Sequence, residues 1–125
     1  MILYPKLYLS NVKEINIEIL KRYNIKGLLL DVDNTLIDYE QNMLEGLEAW
    51  CQDLKKNDIK MCILSNTNNI KKVQRVAQIL DIPFIIFAKK PLKFGFKKAQ
   101  KLLDVESKTI AVVGDQILTD VLRRK

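Results

Sequence analysis

Two aspartates separated by one residue, Asp31 and Asp33, form the strongest chemical signal in the chain. They close the stretch Lys26-Gly27-Leu28-Leu29-Leu30-Asp31-Val32-Asp33-Asn34-Thr35-Leu36. One carboxylate can attack phosphorus and form an acyl-phosphate. A second can protonate the leaving oxygen and then activate water. A spacing of two residues along an extended chain points both carboxylates the same way. The simpler reading is an acidic turn behind a core strand.

Further polar residues follow three later apolar runs. Ser65 and Asn66 come after Lys60–Leu64, and a hydroxyl with backbone amides ahead of a helix suits a phosphate dianion. Lys90 comes after Phe84–Phe87 and can neutralise phosphate oxygens as a point charge. Asp115 and Asp120 come after Thr109–Val113. Each has a plainer role: a turn serine, a solvated lysine, acids facing a helix dipole. Their appearance in order behind successive strands is what argues for phosphoryl transfer.

The composition narrows the chemistry. The chain has no histidine, which excludes histidine bases, histidine nucleophiles and histidine-bound zinc. Oxygen ligands must then hold any catalytic metal, which favours magnesium, with Asp31, Asp115 and a backbone carbonyl as a sufficient set. Cys51 and Cys62 fall on apolar faces and read as buried free thiols. Neither starts a Cys-x5-Arg loop, since the sixth residue on is asparagine in both cases. A net charge of +6 suits anionic partners, although a solvated basic face is the commoner explanation.

Positioning these residues calls for strands alternating with helices. Leu28–Leu30 reads as a strand buried on both faces, as in a parallel sheet covered on each side. Helices are expected at Ser10–Tyr23, capped by Ser10 or Asn11, at Leu44–Lys55, from an Asn68 or Asn69 cap through a stripe of Ile70, Val73, Ala77 and Leu80, at Lys93–Leu103, and at Leu118–Leu122. The apolar arm Leu3–Leu9 either packs on the domain or touches a membrane. This order predicts a right-handed, parallel α/β sheet in a single domain, residues 1–125. No apolar stretch reaches the ~20 residues that span a bilayer, and no signal peptide is visible, so a cytoplasmic, at most membrane-peripheral location is expected.

Asp31-Val-Asp33-Asn34-Thr35-Leu36 resembles the DxDxT motif of the haloacid dehalogenase (HAD) superfamily of aspartate-nucleophile phosphatases. Ser65-Asn66, Lys90-Pro91 and Gly114-Asp115-Gln116-Ile-Leu-Thr-Asp120 are similar to its second, third and fourth motifs. The wording is most similar to the subclass IIIA, YqeG-like group, related to phosphatidylglycerophosphate phosphatases. The resemblance implies a three-layer Rossmann-like fold with helices on both faces of the sheet. It implies Asp31 as nucleophile, Asp33 as general acid/base, and Ser65, Asn66 and Lys90 as phosphate holders. It implies Mg2+ on Asp31, Asp33 and Asp115, with Thr35 and Asp120 in support. The short gaps after Asp33 and Ser65 leave no room for a cap domain, so an open site is expected, suited to a lipid headgroup or another phosphorylated molecule. The family continues past the fourth motif with another strand, whereas this chain stops at Lys125. The expectation is a sheet lacking its last strand, with Thr109–Val113 as an exposed edge open to self-association. A contrasting expectation is a non-catalytic module of the same fold binding RNA or anionic membrane. Nucleic acid is disfavoured by the absence of interleaved aromatic and basic residues.

Overall fold

A computed structural model describes residues 8, 9, 12, 15–32, 36, 37 and 42–114. The order is β1 (Tyr8–Leu9), α1 (Ile17–Arg22), β2 (Gly27–Leu30), α2 (Leu47–Lys56), β3 (Lys60–Ser65), α3 (Ile70–Leu80), β4 (Phe84–Ile86), α4 (Leu92–Leu103), a 3-10 turn (Ser107–Thr109) and β5 (Ile110–Val113). The strands form one sheet in the order β1-β5-β2-β3-β4. Every pairing in it is parallel.

Alternation along the strands divides the core in two. Leu28, Leu30, Met61, Ile63, Ala111 and Val113 face one cluster, covered by Leu47, Cys51 and Leu54 of α2 and Val73, Val76, Ala77 and Leu80 of α3. Leu29, Cys62, Leu64, Ile110 and Val112 face the other, covered by Leu92, Phe96, Ala99 and Leu103 of α4. The three-layer, Rossmann-like α/β architecture expected from the sequence is therefore present. Gly27–Leu30 is buried at every position because helices cover both faces.

Helix ends follow local chemistry. Asn16 caps α1, accepting a hydrogen bond from the Ile19 amide, so the helix starts later than Ser10 or Asn11 would place it. Asn69 caps α3 through the Lys72 amide. Ile70 was expected in the buried stripe of α3 but is 48% exposed, and Val76 takes that place. Asp81 and Asp104 end α3 and α4 in the left-handed conformation, at φ 55° and 56°. Gly95 lies where α4 presses on the sheet: an added Cβ would sit 2.8 Å from Leu64 Cδ1 and 3.1 Å from Phe87 Cβ. That close approach explains a glycine inside a helix.

One expectation is corrected. Val112 and Val113 of β5 pair with β2 on one side and with Tyr8 and Leu9 on the other. The end of the N-terminal arm covers the edge expected to be bare, because a parallel strand there satisfies backbone groups that would otherwise face water. The helical turn expected at Leu118–Leu122 lies outside the described residues.

Candidate active site

All parallel strands end on the same side, so the loops after β2, β3, β4 and β5 share one edge of the sheet. Ligands of open α/β sheets bind at this carboxyl edge.

Asp31 is the first residue after β2 and is 1% exposed. Its amide donates to the Val113 carbonyl at 2.9 Å, continuing the β2–β5 ladder by one step. Its Oδ1 accepts from the Val32 amide at 2.9 Å. The Leu36 and Ile37 amides both donate to the Val32 carbonyl. Ile37 and Met43 form an antiparallel bridge ahead of α2.

Ser65 ends β3 and is 3% exposed. Its Oγ accepts from the Thr67 amide, and the Thr67 hydroxyl accepts from the Asn69 amide. These two local bonds lead from the strand end into the cap of α3. Asn66 is exposed beside it.

Lys90 stands behind β4. The Phe87 amide donates to the Ser65 carbonyl, and the Lys90 amide donates to the Phe87 carbonyl, both at 2.9 Å. Lys89, at φ 64°, makes this turn possible. The structure thus brings Asp31, Ser65, Asn66 and Lys90 to adjoining ends of β2, β3 and β4. No acidic residue sits in the first turn of α3 or α4, so the positive ends of both dipoles remain available to an anion behind Ser65 and Lys90.

Asp33, Thr35, Asp115 and Asp120 lie outside the described residues. Gly114, buried at φ 141°, is the last described residue before Asp115. Of the expected metal ligands, Asp31 is the one described, and its carboxylate is a hard oxygen donor suited to a small divalent cation. The soft donors lie elsewhere: Cys62 is inside β3 and Cys51 inside α2. Burial pushes the Cys62 thiol up to about 12 and also raises Cys51. Both are free and buried, as expected.

Among the described residues, the segment between β2 and β3 holds only α2, and that between β3 and Lys90 only α3 and β4. No cap domain is present there. Also among the described residues, no helix is long and apolar enough to cross a membrane. Sequence reasoning missed Lys98, whose Nζ, like that of Lys90, lies over the Phe94 ring, at 4.8 and 5.0 Å respectively. Its signal was the i, i+4 spacing of Phe94 and Lys98.

A family model described as mitochondrial PGP phosphatase matches residues 1–125. The probable phosphatase YqeG of Bacillus subtilis (strain 168) is 38% identical over 119 residues, covering 94% of this chain and 69% of that protein. Among solved structures, the cobalt-bound deoxy-D-mannose-octulosonate 8-phosphate phosphatase YrbI of Haemophilus influenzae superposes with a TM-score of 0.64 at 20% identity, covering 82% of this chain and 66% of that one. A hypothetical protein from Xanthomonas campestris gives 0.62 at 16%, covering 95% and 69%. The two structures support the fold, and the chain spans about two thirds of the length of each of these relatives. With an aspartate at the head of a Rossmann-like sheet and a family match along its whole length, the chain belongs to the mitochondrial PGP phosphatase family, among the YqeG-like phosphatases of the HAD superfamily.

Proposed function

We propose that residues 1–125 act as one unit, a magnesium-dependent phosphomonoester hydrolase working through an aspartyl-phosphate on Asp31. The proposed substrate is a phospholipid headgroup such as phosphatidylglycerophosphate. The observation that supports this most is the buried carboxylate of Asp31 at the end of β2, with Ser65 and Lys90 at the neighbouring strand ends.

Asp31, Asp33 and Asp115 would hold the ion, which when bound offsets repulsion between the carboxylate and a phosphate dianion. A carboxylate oxygen of Asp31 attacks phosphorus, and the ester P–O bond breaks. Asp33 gives its proton to the departing alkoxide. Water then attacks the same phosphorus, Asp33 takes up its proton, and the bond to Asp31 breaks, freeing inorganic phosphate. Ser65, the Asn66 region and Lys90 hold the phosphate oxygens through both steps. Thr35 and Asp120 support the first and fourth loops. A bulky lipid headgroup suits an edge with no cap among the described residues.

The test is turnover of an aryl phosphate with and without magnesium, followed by a comparison of phosphatidylglycerophosphate, nucleotides and sugar phosphates. Magnesium-dependent phosphate release, fastest on the lipid, is expected. Equal turnover in the presence of a chelator would overturn the metal dependence. Preference for a soluble sugar phosphate would overturn the substrate.

A further inference from the structure

Helix α4 starts at Leu92, one proline beyond Lys90, and runs away from the site edge with its inner side on the sheet. Its buried residues are Leu92, Gly95, Phe96, Ala99 and Leu103. Its exposed residues are Lys93, Phe94, Lys97, Lys98, Lys101 and Leu102. At 100° per residue the exposed set spreads over half the helix and the buried set over the other side. The outer half carries four lysines and no acid, and exposed Lys89 and Lys90 extend it to the site. Phe94 lies among these lysines, with Lys90 and Lys98 over its ring, and is 36% exposed. Leu102 is 54% exposed.

We infer that the outer face of α4 is a docking surface for an anionic lipid bilayer and sets the carboxyl edge of the sheet against the headgroups. This rests on the proposed lipid substrate and names where the protein meets the lipid. Charge complementarity selects the occupant: an unbroken lysine face matches a diffuse negative surface. The exposed side chains on this face favour a bilayer over nucleic acid. Lysines are point charges without the planar fork of arginine, and the face has no arginine and a single aromatic, so it offers no platform for stacking successive bases. Phe94 and Leu102 supply apolar surface of the kind that settles at the headgroup boundary, and the lysine stems reach along it. Because only Pro91 separates Lys90 from α4, docking along this face keeps the phosphate-holding lysine at the membrane.

The experiment measures co-sedimentation of the full chain with phosphatidylcholine vesicles, with and without phosphatidylglycerol, at low and high salt. The test variant is Lys93→Gln/Lys97→Gln/Lys101→Gln. The control is Lys56→Gln/Lys60→Gln/Lys71→Gln, which removes the same charge from exposed positions on other elements. Each lysine near an anionic surface is worth about fivefold in partitioning, so the test variant should bind about 100-fold more weakly than wild type at low salt. The control should bind much like wild type, and both variants should turn over a soluble aryl phosphate as wild type does. Phe94→Ser adds a second reading that leaves the charge intact, and it should weaken binding without changing the salt slope. Equal losses in test and control variants would overturn the inference. So would absence of binding to anionic vesicles, or displacement of the protein from them by polyuridylate through the same three lysines. Vesicle binding without any turnover would sink the proposed activity and leave the docking surface standing.

Discussion

The Asp31 amide and the Val113 carbonyl are joined by a 2.9 Å hydrogen bond. The proposed nucleophile is thus held by the strand that leads into Gly114 and Asp115. Asp31→Asn keeps this backbone bond and the side-chain volume while removing the attacking oxygen anion. Phosphate release should vanish, while the thermal midpoint stays within a few degrees of wild type. Wild-type turnover in this variant would exclude Asp31 as nucleophile.

Asp33→Asn should leave a slow enzyme rather than a dead one. Loss of general acid–base help lowers rates by about 10² to 10⁴. The loss should shrink on aryl phosphates with good leaving groups, which need little protonation. Comparing an activated and an alkyl substrate reads this directly.

Gly95→Ala sets two effects against each other. Alanine gains about 1 kcal/mol of helix propensity. Its Cβ meets Leu64 and Phe87 in a filled core, where overpacking costs about 1 to 3 kcal/mol. The expected net result is a loss of up to ~2 kcal/mol in urea unfolding, and a larger one for Gly95→Val. A gain in stability for alanine would mean that α4 lifts easily from the sheet.

Cys62 makes stability depend on alkaline pH. Burial raises its thiol from the ordinary 9.0 to about 12. Above pH 9 the unfolded chain releases this proton while the folded chain keeps it. The contribution is therefore full below pH 9 and lost as pH rises towards 12, by up to ~1.4 kcal/mol per unit. Cys62→Ala should show a shallower fall over that window, measured by denaturant midpoints at each pH.

Removing residues 1–9 would strip Tyr8 and Leu9 from the outer side of β5. The shortened chain should melt earlier and self-associate in light scattering as its edge opens. An unchanged monomer would show that this two-residue pairing is dispensable.

Much of this fold was legible because its signals are local. Leu28–Leu30, Lys60–Ser65 and the Asn69-capped helix declare themselves by apolar runs, helical spacing and caps. The carboxyl-edge cluster of Asp31, Ser65 and Lys90 followed from strand order alone. β1 was not legible, since two residues carry no periodicity and only the partner makes them a strand. Ile70 misled because an apolar residue in the first turn of a helix fits the stripe by spacing yet lies beyond the sheet that would bury it. Gly95 looked like a helix breaker, and only its nearness to Leu64 and Phe87 explains its place.

The strand order bears on how the chain assembles in time. Among the described strands β5 is synthesised last, yet it lies between β1 and β2. While the ribosome is still adding residues before Ile110, β2, β3 and β4 can form a local sheet, but β2 has no neighbour on its other flank. Bringing β5 in then requires one segment to slot between two made about eighty and about a hundred residues earlier, a high-contact-order step that is slow and leaves apolar Leu28–Leu30 open to wrong partners. The proposed nucleophile is therefore locked in place only once β5 arrives.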